Sequence, residues 1–319
     1  MPENQNVTGE HWTKESVSIL HQLGWQQKGS CNFDIECIHH IKERRGQAHG
    51  VDSFFVYYDP YYQSEQGVLV ESKNWQFQSI NTANIRKWMK QITDCIECLQ
   101  VSKTIQDLSQ APIQNALLMC WANDEYDRAA FVERLSKVGV GSKKYPCNVF
   151  VASNNEILHW CSLINTINNL KKDAISLKFI YPNIPTLGTN LIMADHLTLT
   201  HLYSKYIFAE IKQEIRRVGG GTDVVEKLLV FTNEPASTAS LEFLYDLIKR
   251  LNFQFYPIYE VYLHESATAI RQITTDFVSR INAQRKGDLN NPSTIEIKYL
   301  DVFNGLQNVP DGIIHFGED

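Results

Sequence analysis

The stretch GVLVESK at residues 67–73 decides the fold of the first half of the chain. Its apolar run predicts a buried β-strand, and the aromatic stretch FFVYY at residues 54–58 predicts a second strand before it. The residues between them are turn-prone, so we expect a hairpin whose turn is centred near Tyr62. A hairpin folded about that point brings Asp52 level with residues 71–73.

Side chains on a β-strand alternate between its two faces, so Glu71 and Lys73 project to the same side. With Asp52 opposite them, two carboxylates and one ammonium group converge. Asp52 and Glu71 offer the hard oxygen ligands that suit Mg²⁺ or Mn²⁺. Lys73 can orient or deprotonate an attacking water, or balance developing negative charge. The set suits phosphodiester hydrolysis, although an ordinary surface ion pair can have the same sequence pattern.

A third carboxylate lies in a predicted N-terminal helix. Apolar residues between Trp12 and Leu23 follow helical spacing, and Gly24 is a typical C-terminal stop. Glu15 lies on or beside this apolar face, where a carboxylate is costly unless a cation meets it. We therefore take Glu15 as a candidate site residue, with helix flanking as the alternative. Glu10 lies outside this face and is the weaker candidate.

Taken in order, these residues resemble the PD-(D/E)xK nuclease superfamily, in particular its restriction-endonuclease-like and Mrr-like branches. The resemblance covers roughly the first half of the chain, and Val51 stands where the motif's name has a proline. It implies a mixed sheet flanked by helices. It also implies that Asp52 and Glu71 bind the metal ion, Mg²⁺ or Mn²⁺, and that Lys73 assists the water.

The resemblance further implies a metal-dependent nuclease, with DNA as the expected substrate. It suggests a component of prokaryotic anti-phage defence or restriction that works with a protein partner or as a homo-oligomer. Two alternatives stay open. The same residues could serve a ribonuclease, or the fold could persist as a catalytically silent nucleic-acid-binding scaffold.

Charge limits how nucleic acid could be bound. The 319 residues carry a net charge of −6, which is not the signature of a nucleic-acid-binding protein, so contacts must come from local basic patches. The patches that flank the proposed site are the best candidates, although each is more often an ordinary solvated surface. From them we expect nucleic-acid contacts at Arg44 and Arg45, before the hairpin, and at Lys87 and Gln91, on the helix after it.

The compartment follows from what the sequence contains. The first residues are polar, no stretch of 18 apolar residues occurs, and the seven cysteines are an odd number, so we expect a cytoplasmic protein without membrane contact. Cys95 and Cys98 have the spacing of a zinc or redox pair, but their place in a predicted helix favours core packing. For His39, His40 and His49 we expect surface or strand-end positions, with phosphate or metal-bound water contacts as the alternative.

Strands and helices alternate along the whole chain, which indicates an α/β fold. Residues 1–172 are predicted to form the restriction-endonuclease-like domain. Residues 173–319 are predicted to form a second α/β domain for substrate recognition, assembly or sensing, after a break near residues 182–188. Within it we expect helices at 197–215, 240–251 and 267–281, and strands at 227–231, 253–263 and 295–299, with parallel pairing.

Overall fold

The computed structural model describes residues 2–44, 47–139, 147–182, 191–216, 220–264, 268–286 and 294–301. The chain divides into two compact units, the first extending to Leu158 and the second beginning at His159. This division falls inside helix α6, Asn154–Lys171. The domain boundary expected after residue 172 stays a prediction.

The first unit is an α/β structure that begins with a long helix. Its elements are α1 (Pro2–Gln22), β1 (Gln26–Gln27), β2 (Phe33–Ile35), α2 (Ile41–Arg44), β3 (His49–Val51), β4 (Ser53–Asp59), β5 (Ser64–Trp75), α3 (Thr82–Leu99), α4 (Lys103–Leu108), β6 (Ile113–Ala122), α5 (Arg128–Ser136), β7 (Asn148–Ala152) and the start of α6.

Five of these strands form a mixed sheet in the order β1-β4-β5-β6-β7. The β1/β4 and β4/β5 pairs are antiparallel, and the β5/β6 and β6/β7 pairs are parallel. Ser53 lies opposite Val70 and Asp59 opposite Ser64, so the turn spans residues 60–63. The predicted hairpin, with its turn centred near Tyr62, is confirmed, as is the mixed sheet flanked by helices.

Alternation along β4 and β5 gives the sheet two apolar faces. Phe54 and Leu69 join a buried cluster with Trp88 of α3. Helix α1 contributes Trp12 and Ile19, both fully buried, and the Trp12 indole donates a hydrogen bond to the Met119 carbonyl oxygen of β6 at 3.2 Å. The helix ends where predicted, because Gly24 adopts a positive φ of 91° that favours glycine.

The second unit contains a six-stranded mixed sheet in the order β13-β12-β11-β10-β8-β9. The β11/β12 and β12/β13 pairs are parallel, and the other pairs are antiparallel. After the end of α6 its elements are β8 (Ala174–Tyr181), β9 (Ile192–Ala194), α7 (Leu199–Leu202), β10 (Tyr206–Arg216), β11 (Thr222–Thr232), α8 (Thr238–Arg250), β12 (Ile258–Leu263), α9 (Thr268–Lys286) and β13 (Thr294–Tyr299).

The predicted long helix at residues 197–215 is wrong. Only Leu199–Leu202 is helical, and Tyr206–Arg216 is a strand paired on both sides, with β8 and β11. The apolar spacing of this segment fits a helix as well as a strand. Its aromatic and β-branched start, at residues 206–208, favours the strand once neighbouring strands are present to pair with it.

Within the described parts of the chain, none of the helices combines the length and the apolar character that crossing a membrane requires.

Candidate functional site

The β4–β5 hairpin brings Asp52, Glu71 and Lys73 together at its open end. The Ser72 backbone N–H donates to Asp52 Oδ2 at 2.8 Å. The Lys73 Nζ lies 2.5 Å from Glu71 Oε1 and 3.4 Å from Asp52 Oδ2. The structure therefore shows the predicted juxtaposition of two acids and one lysine. The roles assigned to them stay predictions.

Burial and mutual charge set the electrostatics of these three groups. The pKa of Glu71 is raised to about 7, chiefly by burial; the charge of Lys73 opposes this rise and the charge of Asp52 adds to it. Burial opposes the charge of Lys73, but Glu71 and Asp52 outweigh this effect and raise the pKa of the lysine. Lys73 is therefore a firmly protonated ammonium group between two carboxylates.

An open cleft of about 770 Å³ borders this triad. Asp52 and Lys73 line it directly, whereas Glu71 is not part of the lining and has 12% of its side chain exposed. Trp75 also lines the cleft, is 39% exposed and packs edge-to-face on Trp88 at 5.4 Å. The remaining lining residues are Gly9, Glu10, Thr13, Asn32, Ser72, Asn74, Gln76, Ser79 and Asn123. This mainly polar cleft gives a charged substrate access to the acids.

Helix α1 turns Glu10, and not Glu15, towards this cleft. Glu10 and Thr13 line it from the same face of the helix. Glu15 is five residues further on, which is about 140° around a helix, and its Oε1 lies 3.7 Å from Nε2 of His11. The sequence analysis ranks Glu10 below Glu15 because Glu10 lies outside the apolar face of the helix, but it is this other face that borders the cleft. The signal that could have found Glu10 is its i, i+3 spacing to Thr13 on a polar face.

Of the four residues expected to contact nucleic acid, the two whose side chains the structure describes do not line the cleft. Lys87 and Gln91 are exposed on α3, and neither lines the cleft. Arg44 ends α2, but its side chain lies outside the described residues, and Arg45 lies outside them entirely. Their roles stay predictions.

The aromatic residues of the hairpin separate into distinct environments. Tyr57 is buried, whereas Tyr58, Tyr61 and Tyr62 are 45–74% exposed near the turn. At about 3.3 Å per residue, the turn begins roughly 26 Å along the strand from Asp52. Trp75 is thus the aromatic residue of this group that borders the cleft.

Comparison with protein families supports the interpretation of the first unit. Residues 1–156 match the family model described as the GAPS4 protein PD-(D/E)XK nuclease domain. No curated protein matches the chain. The match spans the mixed sheet, the hairpin with its two acids and lysine, and the helix that lines the cleft. Residues 1–156 of this chain belong to the PD-(D/E)XK nuclease superfamily and are similar to the nuclease domain of the GAPS4 protein.

Proposed function

We propose that the chain is a metal-dependent nuclease that hydrolyses phosphodiester bonds in DNA. The observation that carries this proposal is the meeting of Asp52, Glu71 and Lys73 beside a polar cleft in a nuclease-family domain. The superfamily generally uses divalent metal ions. Mg²⁺, or Mn²⁺ in its place, is the ion that these oxygen ligands suit.

The donor set fits such an ion. The Asp52 and Glu71 carboxylates both contact the Lys73 ammonium group. The two acids are therefore close enough to share one cation. Asp52 is held in place by the Ser72 N–H, which fixes the direction of its carboxylate. These two residues would hold the metal, which supplies charge neutralisation at the scissile phosphate.

The chain's own residues supply the rest of the mechanism. Lys73 is protonated, so it acts chiefly as a positive charge that orients water and offsets negative charge developing on the phosphate. Trp75 presents an exposed ring to the cleft, on which a nucleic-acid base can stack. Glu10 places a further carboxylate at the α1 side of the cleft.

The biological setting belongs to the same proposal and rests on the family resemblance. We place the protein in anti-phage defence or restriction, acting with a protein partner or a second copy of itself. A cytoplasmic location agrees with its seven free thiols. The second unit is assigned to substrate recognition, assembly or sensing.

The proposal is tested by incubating the full chain with linear, circular and single-stranded DNA and with RNA, in Mg²⁺, Mn²⁺ or EDTA. We expect cleavage of DNA that requires the metal and is lost in Asp52→Asn. Asp107→Asn, the same change at an exposed position of α4, should cleave like the wild type. Unchanged cleavage by Asp52→Asn, or none under any condition, would contradict the proposal. Cleavage of RNA alone would replace DNA by RNA as the substrate.

The third carboxylate gives a separate prediction. Because Glu10 lines the cleft and Glu15 lies near His11, Glu10→Gln should lower the cleavage rate about 10-fold or more, and Glu15→Gln should lower it less. Rates at saturating Mn²⁺ should be compared with melting temperatures, to separate a site effect from lost stability. The reverse ranking would restore Glu15 as the helix carboxylate of the site.

A further inference from the structure

Away from the acids, the first unit contains a cluster of four soft and borderline ligands. The Cys37, His40, His49 and Cys98 side chains each place one ligand atom within 4.8 Å of the other three. Cys37, His49 and Cys98 are buried, and 10% of the His40 side chain is exposed. Four such atoms converging in a protein interior are the ligand set of a closed Cys₂His₂ metal site.

Three separate elements supply these residues. Cys37 and His40 follow β2 with two residues between them, and His49 opens β3, where it lies opposite Ile35 of β2. Cys98 is in the last turn of α3. A metal ion held by all four would join the two-stranded β2–β3 sheet and its connecting segment to this helix.

The distances are close to those of a tetrahedral site. Zinc bonds of about 2.3 Å to sulfur and about 2.0 Å to nitrogen imply ligand separations of about 3.3–3.8 Å. The Cys98 Sγ lies 3.7 Å from the His40 Nδ1, within that range. The His40 and His49 rings stand 5.7 Å apart at 84° to one another, so they approach the centre from different directions.

The contacts around the cluster have the pattern of outer-shell support. The His40 Nε2 lies 2.8 Å from Glu97 Oε2, which leaves Nδ1 facing Cys98. A carboxylate that accepts the second ring N–H of a ligating histidine orients the ring and raises its basicity. The backbone N–H groups of Ile38 and His39 donate to Cys98 Sγ at 3.3 and 3.5 Å, and such donors stabilise a thiolate.

We propose that Cys37, His40, His49 and Cys98 bind one structural Zn²⁺ ion, separate from the Asp52–Glu71 site. Two thiolates and two imidazoles select zinc over Mg²⁺, which prefers oxygen. Both thiols release their protons to solvent on binding. Asp94, Glu97 and His40 also place ligand atoms within 4.8 Å of one another. The Glu97 carboxylate, however, accepts a hydrogen bond from His40, and the Asp94 carboxylate lies 2.6 Å from the Lys90 ammonium group. These acids support the site rather than form one.

The position of His49 gives the ion a further consequence. His49 begins β3, and Asp52 follows that strand directly. Asn32, directly before the neighbouring strand β2, donates its backbone N–H to the Asp52 carbonyl oxygen at 2.9 Å. A zinc ion holding His49 therefore fixes the chain segment that carries one of the two site acids.

The sequence interpretation missed this cluster because it paired Cys98 with Cys95. Both thiols are buried, as core packing predicts, but the neighbours of Cys98 come from residues about 60 positions earlier in the chain. Of the two positions expected for His49, the structure shows the strand end and not the surface, because this residue begins β3 and is 2% exposed.

The first experiment measures the metal content of the purified full chain by mass spectrometry. We expect about one zinc per chain in the wild type and at least a tenfold loss in Cys98→Ser and His49→Ala. Cys95→Ser is the matched control, because it makes the same change at a buried position one turn earlier in α3 and should keep the zinc. Wild-type protein without zinc, or equal loss in Cys95→Ser, would overturn the proposal.

A second measurement uses the wild-type chain, so that it does not depend on variants that could fail to fold. Wild-type chain grown with Co²⁺ should show the visible absorption of tetrahedral cobalt with sulfur-to-metal charge transfer, and absence of that spectrum would contradict a thiolate site. Asp52→Asn should retain full zinc content. If zinc disappears in Asp52→Asn, the ion is bound at the acids and the zinc proposal fails. Loss of cleavage in the same variant tests the nuclease proposal, so the two proposals can fail independently.

Discussion

Replacing Glu71 by glutamine is expected to reduce the cleavage rate at least about 100-fold while leaving the chain folded. The change removes one of the two carboxylates that we propose hold the metal, and loss of a single preorganised electrostatic group costs about 10²–10³ in rate. Because burial already opposes the charge of Glu71, the neutral amide should not unfold the domain. Initial cleavage rates and melting temperatures of the same preparations measure the two effects.

The matched control for this variant is Glu65→Gln. Glu65 is exposed near the other end of β5, so it undergoes the same chemical change on the same strand, far from the cleft. It should cleave at the wild-type rate. If Glu71→Gln cleaves as fast as Glu65→Gln, Glu71 is a structural carboxylate paired with Lys73 and not a metal ligand.

Replacing Lys73 by methionine should have a similar effect on rate through a different cause. The variant keeps both carboxylates but loses the ammonium group that contacts them, so cleavage should fall about 10²–10⁴-fold. Mn²⁺ binding should persist or tighten, because the competing positive charge has gone. Calorimetric titration with Mn²⁺, set beside cleavage rates at saturating metal, separates these two quantities.

Lys103→Met, at an exposed position in α4, is the control for the lysine variant. It should change neither the rate nor the affinity for Mn²⁺. A Lys73→Met variant whose activity returns fully at high Mn²⁺ would show that the lysine only shapes the metal site. If the variant loses both its Mn²⁺ binding and its native fold, Lys73 belongs to a purely structural ion pair.

Local geometry explains why the hairpin could be predicted. Asp52 and Lys73 are joined by one turn, so the alternation of strand side chains and the position of that turn fix which residues meet. No information from distant parts of the chain is required. The same reasoning places Glu71 on the side of Lys73, and the 2.5 Å contact between them agrees with it.

Features that depend on distant partners were beyond this kind of reasoning. Strand β10 was mistaken for a helix because its pairing with β8 and β11 is what decides its conformation. Glu10 faces the cleft only because α1 docks on the sheet at one rotation about its axis. Both errors are cases in which tertiary contacts select among conformations that the local pattern allows.

The hydrogen bond from Trp12 to Met119 has a consequence for biosynthesis, because it joins residues 107 positions apart. A ribosome adding about 5–20 residues per second needs roughly 5–20 seconds between them. Throughout that interval the first helix has been made but the strand that receives its indole has not. We therefore expect the emerging polypeptide to lack a finished cleft until β6, which ends at residue 122 of 319, has left the exit tunnel, so the proposed cleavage cannot begin before that point of translation.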